Sequence, residues 1–207
     1  MDHPMGLLSF VVLGALSSEK CRPFDLHRSG FMLGEGSAVL ILERAEHAQK
    51  RGKKPYARLV GAGSSIDAWN VTAPHPQGVG AELSMRRALR DAGLQKDDID
   101  YINAHGTGTP LGDQAEAAAI ARVFGSSVPV SSIKAAIGHC IAAAGAIEAV
   151  ACIIALQKQF LPGTVGLEIE DAFDISVVKR GQSASIRYVL SNSFGFGGQN
   201  CSLIFGR

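Results

Sequence analysis

The chain has 207 residues, a formal net charge of +1 and 46% hydrophobic residues. This length is enough to bury a substantial core, and the composition excludes a disordered chain. The balanced charge gives no reason to expect nucleic-acid binding or an acidic tail. The four cysteines are scattered without a CxxC pair, which argues against a metal knuckle and favours a reducing compartment. We therefore expect a cytoplasmic protein, with an organelle as the alternative.

The first 16 residues are apolar, but no cationic segment precedes them. This pattern is more typical of a helix that has lost its packing partner than of a signal peptide. Residues 36–42 form an apolar run that predicts a buried strand, and residues 43–52 predict a polar helix closed by Gly52. A strand is predicted at 56–62, and the polar, proline-containing residues 63–76 predict a loop.

The rest of the chain alternates between helical and strand patterns. The predicted elements are a helix at 80–92 ended by Gly93, a strand at 99–104, a helix at 113–124, a strand at 128–131, a helix at 142–157 and strands at 175–178, 188–193 and 201–205. For the helix at 113–124 we expect Asp113 to be the N-cap, with Glu116 completing a capping box. The alternating order predicts an α/β fold, a mixed sheet sandwiched by helices.

The apolar stretch 137–156 is long enough to suggest a transmembrane helix. It contains His139 and Glu148 and is rich in alanine. We therefore interpret it as a fully buried core helix and expect no membrane span.

Two histidines are candidates for chemistry. His105 directly follows the strand at 99–104 and opens a turn in which Thr107 and Thr109 offer hydroxyls to a substrate. His139 sits at the start of the buried helix, whose dipole would lower the pKa of the ring and keep it neutral, able to donate a hydrogen bond to an oxyanion. The alternative for His105 is a purely structural role in the turn that ends the strand. The alternative for His139 is a core histidine whose hydrogen bonds are satisfied within the protein. A metal site on the pair is possible, although a nearby lysine is a poor neighbour for a cation.

That lysine is Lys134, which follows the strand at 128–131. Glu148 lies within the apolar helix, and a buried carboxylate normally needs a cation, so we expect it to pair with Lys134. The pair could be catalytic or could only position the backbone. Cys140 adjoins His139, but neighbouring side chains on a helix do not face each other, so it is a poor candidate nucleophile.

Near the C-terminus, Phe194 and Phe196 alternate with glycines that include Gly197. Glycines this dense allow motion and unusual backbone conformations, which suggests a functional loop. The alternative is a tight turn between two strands. The sequence contains no GxSxG elbow, so a serine hydrolase is not supported.

Together these segments resemble the elongating β-ketoacyl-acyl-carrier-protein synthases. The similar segments are the first histidine motif at 103–113, the lysine motif at 131–134, the second histidine motif at 138–148, the glycine-rich loop at 192–200, and the end of the family's first half at 22–36. The resemblance implies the thiolase-like layered α-β-α-β-α fold. Residues 1–54 would be the tail of its N-terminal half and residues 55–207 its C-terminal domain.

The resemblance also implies a decarboxylative Claisen condensation of malonyl-acyl carrier protein with an acyl thioester. His105 and His139 would stabilise the enolate, supported by Lys134 and Glu148. Substrate binding would involve the pantetheine arm at Thr107 and Thr109 and the gating loop with Phe194, Phe196 and Gly197. No metal or organic cofactor is implied. Ile133 stands where the family usually has threonine, and residues 140–142 also depart from the usual pattern; we expect altered packing there but intact chemistry.

The family's nucleophilic cysteine belongs to the half that the similarity does not cover. We therefore expect the chain to act with a cysteine-bearing N-terminal half or partner subunit, in a dimer of ketosynthase units, and to meet acyl carrier protein. The alternatives are a non-catalytic, chain-length-factor-like subunit, a truncated and inactive product, and a thiolase-fold enzyme that uses coenzyme A substrates. The histidine pair and the phenylalanine-glycine loop favour condensation on a carrier protein.

Overall fold

The computed structural model describes residues 4–207. Its helices are α1 (Pro4–Val12), α2 (Ala45–Lys50), α3 (Val79–Ala92), α4 (Pro110–Phe124), α5 (Lys134–Ile137) and α6 (Ala144–Lys158). Its strands are β1 (Arg58–Ile66), β2 (Tyr101–Asn103), β3 (Pro129–Ser131), β4 (Phe160–Leu161), β5 (Ser176–Val177), β6 (Gln182–Ser183), β7 (Tyr188–Gly195) and β8 (Gln199–Gly206).

The main sheet has six strands in the order β1-β8-β7-β2-β3-β5. Strands β7, β2, β3 and β5 run parallel, and β8 runs antiparallel to both β7 and β1. Strands β4 and β6 form a separate antiparallel pair. Because β7, β2 and β3 are parallel neighbours, their C-terminal ends lie side by side at one edge of the sheet.

Helices cover both faces of this sheet. Alternate strand residues point to opposite faces, so Leu190 of β7 packs in the core beneath α3 and α4, whereas Val189 packs in the core beneath α6. Ile204 and Phe205 of β8 divide in the same way. The predicted α/β sandwich is therefore confirmed.

The strand predicted at 36–42 is wrong. This segment has no regular secondary structure and pairs with no strand in residues 4–207, and Val39 and Ile41 are 86% and 92% exposed. A strand requires a neighbour for its ladder of hydrogen bonds, and an apolar sequence does not supply one. The predicted helix at 43–52 is present but shorter, as α2.

Helix α6 is buried on one face only, which corrects the prediction of a fully buried helix. Glu148, Cys152 and Leu156 point inward, whereas Ile154 is half exposed. The stretch Ile141–Lys158 has the length and mean hydropathy, 1.7, of a membrane span, with 33% of it buried. Its inner face packs on β7 and buries a carboxylate, so in this structure it serves as a core helix.

Two further boundaries differ from the prediction. Helix α4 begins at Pro110 with Thr109 as its N-cap, so Asp113 lies inside the helix and is not the cap. Proline is well suited to the first turn, where its missing N–H has no partner to lose. Strand β1 continues to Ile66, within the predicted loop, because β8 pairs with it as far as Gln199.

Candidate active site

The three unusual sequence segments meet at one edge of the sheet. His105 follows β2, Lys134 follows β3, and Phe194 lies near the end of β7. The rings of His105 and His139 have centroids 5.5 Å apart, and the Phe194 ring lies 5.7 Å from that of His105. The parallel order of β7, β2 and β3 therefore brings together residues that are far apart in sequence.

The backbone after β2 is held by two buried carboxylates from α4. Glu116 accepts the N–H groups of His105 and Gly106 at 2.9 and 2.8 Å. Asp113 accepts the N–H groups of Gly108 at 3.0 Å and of Phe24 at 2.7 Å. Asp113 and Glu116 thus fix the turn that carries His105, and they do not form the predicted capping box.

His139 is positioned by the N-terminal part of the chain. Its N–H donates to the Met32 carbonyl at 2.7 Å, and Leu33 and His139 form an isolated parallel bridge. The close approach requires Gly138, which has φ +75° and whose added Cβ would lie 2.5 Å from Cα of Gly34. The His139 ring then packs against Phe31, with centroids 5.0 Å apart.

Both histidines are held neutral. The pKa of His105 lies well below its usual value, first because the ring is buried and then because Lys134 and His139 are near. Burial, and then the charge of Lys134, lowers the pKa of His139 to about 4. The expected helix dipole is not the cause, since α6 begins only at Ala144. Neutral rings can donate a hydrogen bond without carrying a charge.

The surroundings also select which ring nitrogen carries the proton. Nδ1 of His139 accepts the N–H of Ile141 at 3.2 Å, which leaves the proton of the neutral ring on Nε2. Nδ1 of His105 lies 3.4 Å from Nζ of Lys134, and an ammonium there favours the same tautomer. Each histidine therefore has an Nε2–H group available to donate.

Lys134 and Glu148 form a buried ion pair, each with a side chain only 1% exposed. Nζ of Lys134 also donates to the His105 carbonyl at 2.5 Å. Burial raises the pKa of Glu148 to about 7, and the charge and hydrogen bond of Lys134 oppose this rise. The lysine thus links the carboxylate of α6 to the turn that carries His105.

A cavity of about 350 Å³ opens beside the histidine rings. The predicted site residues that line it are His105, Thr107, Thr109, His139, Phe194 and Phe196. The hydroxyl oxygens of Thr107 and Thr109 lie 2.9 Å apart. Phe196 is half exposed at its rim, and its ring centroid is 6.3 Å from that of Phe10. The cavity is therefore polar near the threonines and apolar near the phenylalanines.

The glycine-rich segment is both a turn and a wall of the cavity. Gly195 pairs with Gln199, so residues 196–198 form the connection between β7 and β8. Gly197 and Gly198 have φ +81° and +73°, the left-handed conformations that such a short connection requires. The sequence suggests a functional loop for this segment, with a tight turn between strands as the alternative. In the structure the segment is a tight turn, and it also lines the cavity.

Sequence reasoning missed Glu116 as a site residue. Glu116 is 2% exposed, and burial raises its pKa, which the N–H donors around it oppose. It lies in an alanine-rich helical stretch, the same signal that drew attention to Glu148. Phe31 was also missed, and no local pattern indicates it because its contact with His139 is tertiary.

Within residues 4–207, no group of three or more His, Cys, Asp and Glu side chains is arranged to hold a metal ion. The Glu116 carboxylate contacts His105, but it does so by accepting the backbone N–H group and not through the imidazole ring. The two neutral rings line one cavity, and each has an N–H group that can donate. Paired hydrogen-bond donors of this kind can stabilise an oxyanion or an enolate.

Comparison with known proteins identifies the relatives of this site. The family model described as the β-ketoacyl synthase C-terminal domain matches residues 56–168, and the N-terminal domain model matches residues 1–48. The chain is 42% identical over 217 residues to 3-oxoacyl-[acyl-carrier-protein] synthase 2 of Vibrio cholerae, covering 99% of this chain and 52% of the relative.

Two further matches come from a plant and from a solved structure. The chain is 47% identical over 195 residues to the mitochondrial 3-oxoacyl-[acyl-carrier-protein] synthase of Arabidopsis thaliana, covering 90% of this chain and 42% of the relative. It superposes on a structure of the ishigamide ketosynthase/chain length factor with TM-score 0.94 at 38% identity, covering 98% of this chain and 51% of that one. The chain spans about half the length of these relatives. The family recognised from the motifs is therefore confirmed, and the chain belongs to the β-ketoacyl synthases, of which it covers the C-terminal half.

Proposed function

We propose that this chain supplies the enolate-stabilising half of a β-ketoacyl synthase site. The observation that carries the proposal is the pair of neutral histidines, with ring centroids 5.5 Å apart, that line one cavity. Two such donors meet the requirement of a thioester oxygen that gains negative charge, and each is typically worth a few kcal/mol.

The proposed reaction uses that arrangement. A malonyl thioester binds with its carbonyl oxygen between His105 and His139. Its carboxylate leaves as carbon dioxide, and the electron pair of the broken C–C bond forms an enolate held by the two N–H groups. The enolate carbon attacks the acyl thioester, a new C–C bond forms, and the sulfur of the nucleophilic cysteine leaves as thiolate.

The remaining predicted residues support this step. Lys134, neutralised in part by Glu148, keeps the His105 ring uncharged and its turn in place. Thr107 and Thr109 line the cavity where a pantetheine arm would enter, and Phe196 with Gly197 forms its movable rim. No metal or organic cofactor enters the proposal, since the substrates arrive as thioesters of acyl carrier protein.

The nucleophile is proposed to come from a cysteine-bearing N-terminal half or partner subunit. Two observations support a partner. Helix α1 and the segment 36–42 expose apolar side chains, among them Val12, Val39 and Ile41, and such patches mark interaction surfaces. The relatives are also about twice as long as this chain. We expect the whole enzyme to be a dimer of ketosynthase units in the cytoplasm or, like the plant relative, in an organelle.

The first test is the native mass of the protein isolated from its source. A complex with a polypeptide that carries a reactive cysteine supports the proposal, whereas a lone chain contradicts it. In that complex, His105→Ala and His139→Ala should each abolish malonyl decarboxylation but impair acyl transfer to the cysteine less. His47→Ala, on the exposed side of α2, is the matched control. Equal loss of both steps would show that the roles are misassigned.

A second candidate is a non-catalytic, chain-length-factor-like subunit, which the similarity to a ketosynthase/chain length factor structure favours. For such a subunit the histidine variants would leave turnover of the complex unchanged. The intact histidine pair and its lysine support the catalytic role.

A further inference from the structure

A row of buried polar side chains runs from α3 across strands β8 and β7 to Glu116 in α4. Ser202 of β8 and Asn192 of β7 are both completely buried. The Ser202 hydroxyl donates to Oδ1 of Asn192 at 2.7 Å, and Nδ2 of Asn192 donates to Oε1 of Glu116 at 3.1 Å. The hydroxyl of Ser84 in α3 lies 2.9 Å from that of Ser202.

The donors in this row point the same way. A serine hydroxyl has one proton, and because Ser202 gives its proton to Asn192, the proton between the two serines comes from Ser84. The Ala81 carbonyl, 2.8 Å from the Ser84 hydroxyl, competes for that proton, so the Ser84 link is the weaker one. Hydrogen bonds in series polarise one another, so the row strengthens the final bond to Glu116.

Glu116 is the point where this row meets the site. Its carboxylate is buried among N–H donors: the backbone of His105 and Gly106, and the side chain of Asn192. A buried carboxylate is costly unless its oxygens are hydrogen-bonded. If the Asn192 amide turned, it would point an oxygen at this carboxylate in place of a donor. Ser202 adds to the preference for the present orientation, because its hydroxyl donates to the amide oxygen on the opposite side.

We propose that Ser202 and Asn192 are positioning residues, which orient the Asn192 amide so that Glu116 stays a fixed carboxylate and holds the backbone of His105. The catalytic consequence rests on the proposed condensation. The structural part, a firm hydrogen bond from the His105 N–H to Glu116, does not depend on it.

The test compares Ser202→Ala with Ser65→Ala in the full chain. Ser65 is a buried serine of the neighbouring strand β1 that donates to the Gly80 carbonyl at 2.6 Å, outside the row. We would measure hydrogen exchange of the His105 and Gly106 amides together with global unfolding. Ser202→Ala should speed exchange at these two amides up to about tenfold beyond the change in global stability, as the loss of one neutral hydrogen bond next to the Asn192–Glu116 bond implies. Ser65→Ala should not.

Ser84→Ala, one link further from Glu116, should give the same change with smaller amplitude and serves if Ser202→Ala does not fold. The proposal is overturned if exchange of the His105 and Gly106 amides increases in all three variants only as much as the loss of global stability accounts for. In the assembled enzyme, Ser202→Ala should lower kcat for decarboxylation and leave KM unchanged. An assembled wild-type enzyme that does not decarboxylate would refute the proposed function, while the exchange result would still decide the role of the row.

Discussion

Replacing Lys134 by methionine should destabilise the fold strongly and in a pH-dependent way. The ammonium and the carboxylate of Glu148 are each 1% exposed, so Lys134→Met leaves a buried carboxylate without its cation. Removing one partner of a buried pair costs about 3–5 kcal/mol. The double variant Lys134→Met, Glu148→Met removes both charges at similar volume, so its unfolding free energy should be only about 1–2 kcal/mol below that of the wild type. This remaining loss corresponds to the hydrogen bond from Lys134 to the His105 carbonyl.

The sign of the pH dependence follows from Glu148. Its pKa is raised by burial to about 7, and without Lys134 it rises further. As the pH falls through about 7, protonation of Glu148 removes the charge that Lys134 balances, and it does so at higher pH in the single variant, so the difference in unfolding free energy is smallest at low pH. Above pH 7 only the wild type ionises readily, and the difference should grow by up to about 1.4 kcal/mol per pH unit.

The assay is urea unfolding of the full chain from pH 6 to 8, for the wild type, both single variants and the double variant. The reasoning is refuted if the double variant is as unstable as Lys134→Met, or if the difference between Lys134→Met and the wild type does not change with pH. Lys134 would then act through packing and not through charge.

Two more outcomes follow from the geometry of the site. Gly138→Ala should cost about 3 kcal/mol or more in unfolding free energy and abolish decarboxylation, because the added Cβ would lie 2.5 Å from Cα of Gly34. Gly93→Ala is the control: Gly93 has a similar φ of +66°, but no atom lies within 4 Å of the added Cβ. This variant should lose only about 1–2 kcal/mol and keep its activity. The decarboxylation rate of the assembled enzyme should show no inflection between pH 6 and 8 from a histidine and should fall only as the pH approaches 4, since protonation of His139 removes the neutral donor. A midpoint near pH 6.5 for the loss of activity would show that the rings are not shielded as the structure indicates.

Sequence reasoning selected candidate site residues where a motif indicates local chemistry. His105, Lys134 and His139 were singled out from residue type and from their places after strands, and the structure brings all three together. Glu148 was matched to Lys134 because a buried carboxylate needs a cation, which is a rule of solvation that does not depend on the fold. The roles of these residues in catalysis remain predictions.

The prediction failed where a partner element decides the outcome. An apolar run such as 36–42 predicts a strand, but whether a strand forms depends on a neighbour that can pair with it. Asp113 and Glu116 match a capping box by spacing, yet the helix begins three residues before Asp113, and both carboxylates bind the backbone of other segments. Spacing alone does not distinguish these uses of the same residues.

The sequence by itself determined the alternation of strands and helices, the family and the candidate site residues, because these depend on periodicity and residue type. Only the tertiary structure decided that His139 is positioned by residues 32–34, that Glu116 anchors His105, and that burial rather than a helix dipole keeps the rings neutral. These features arise because parallel strands end side by side and exclude water from the groups between them, and neither proximity nor exclusion of water is encoded in the local sequence.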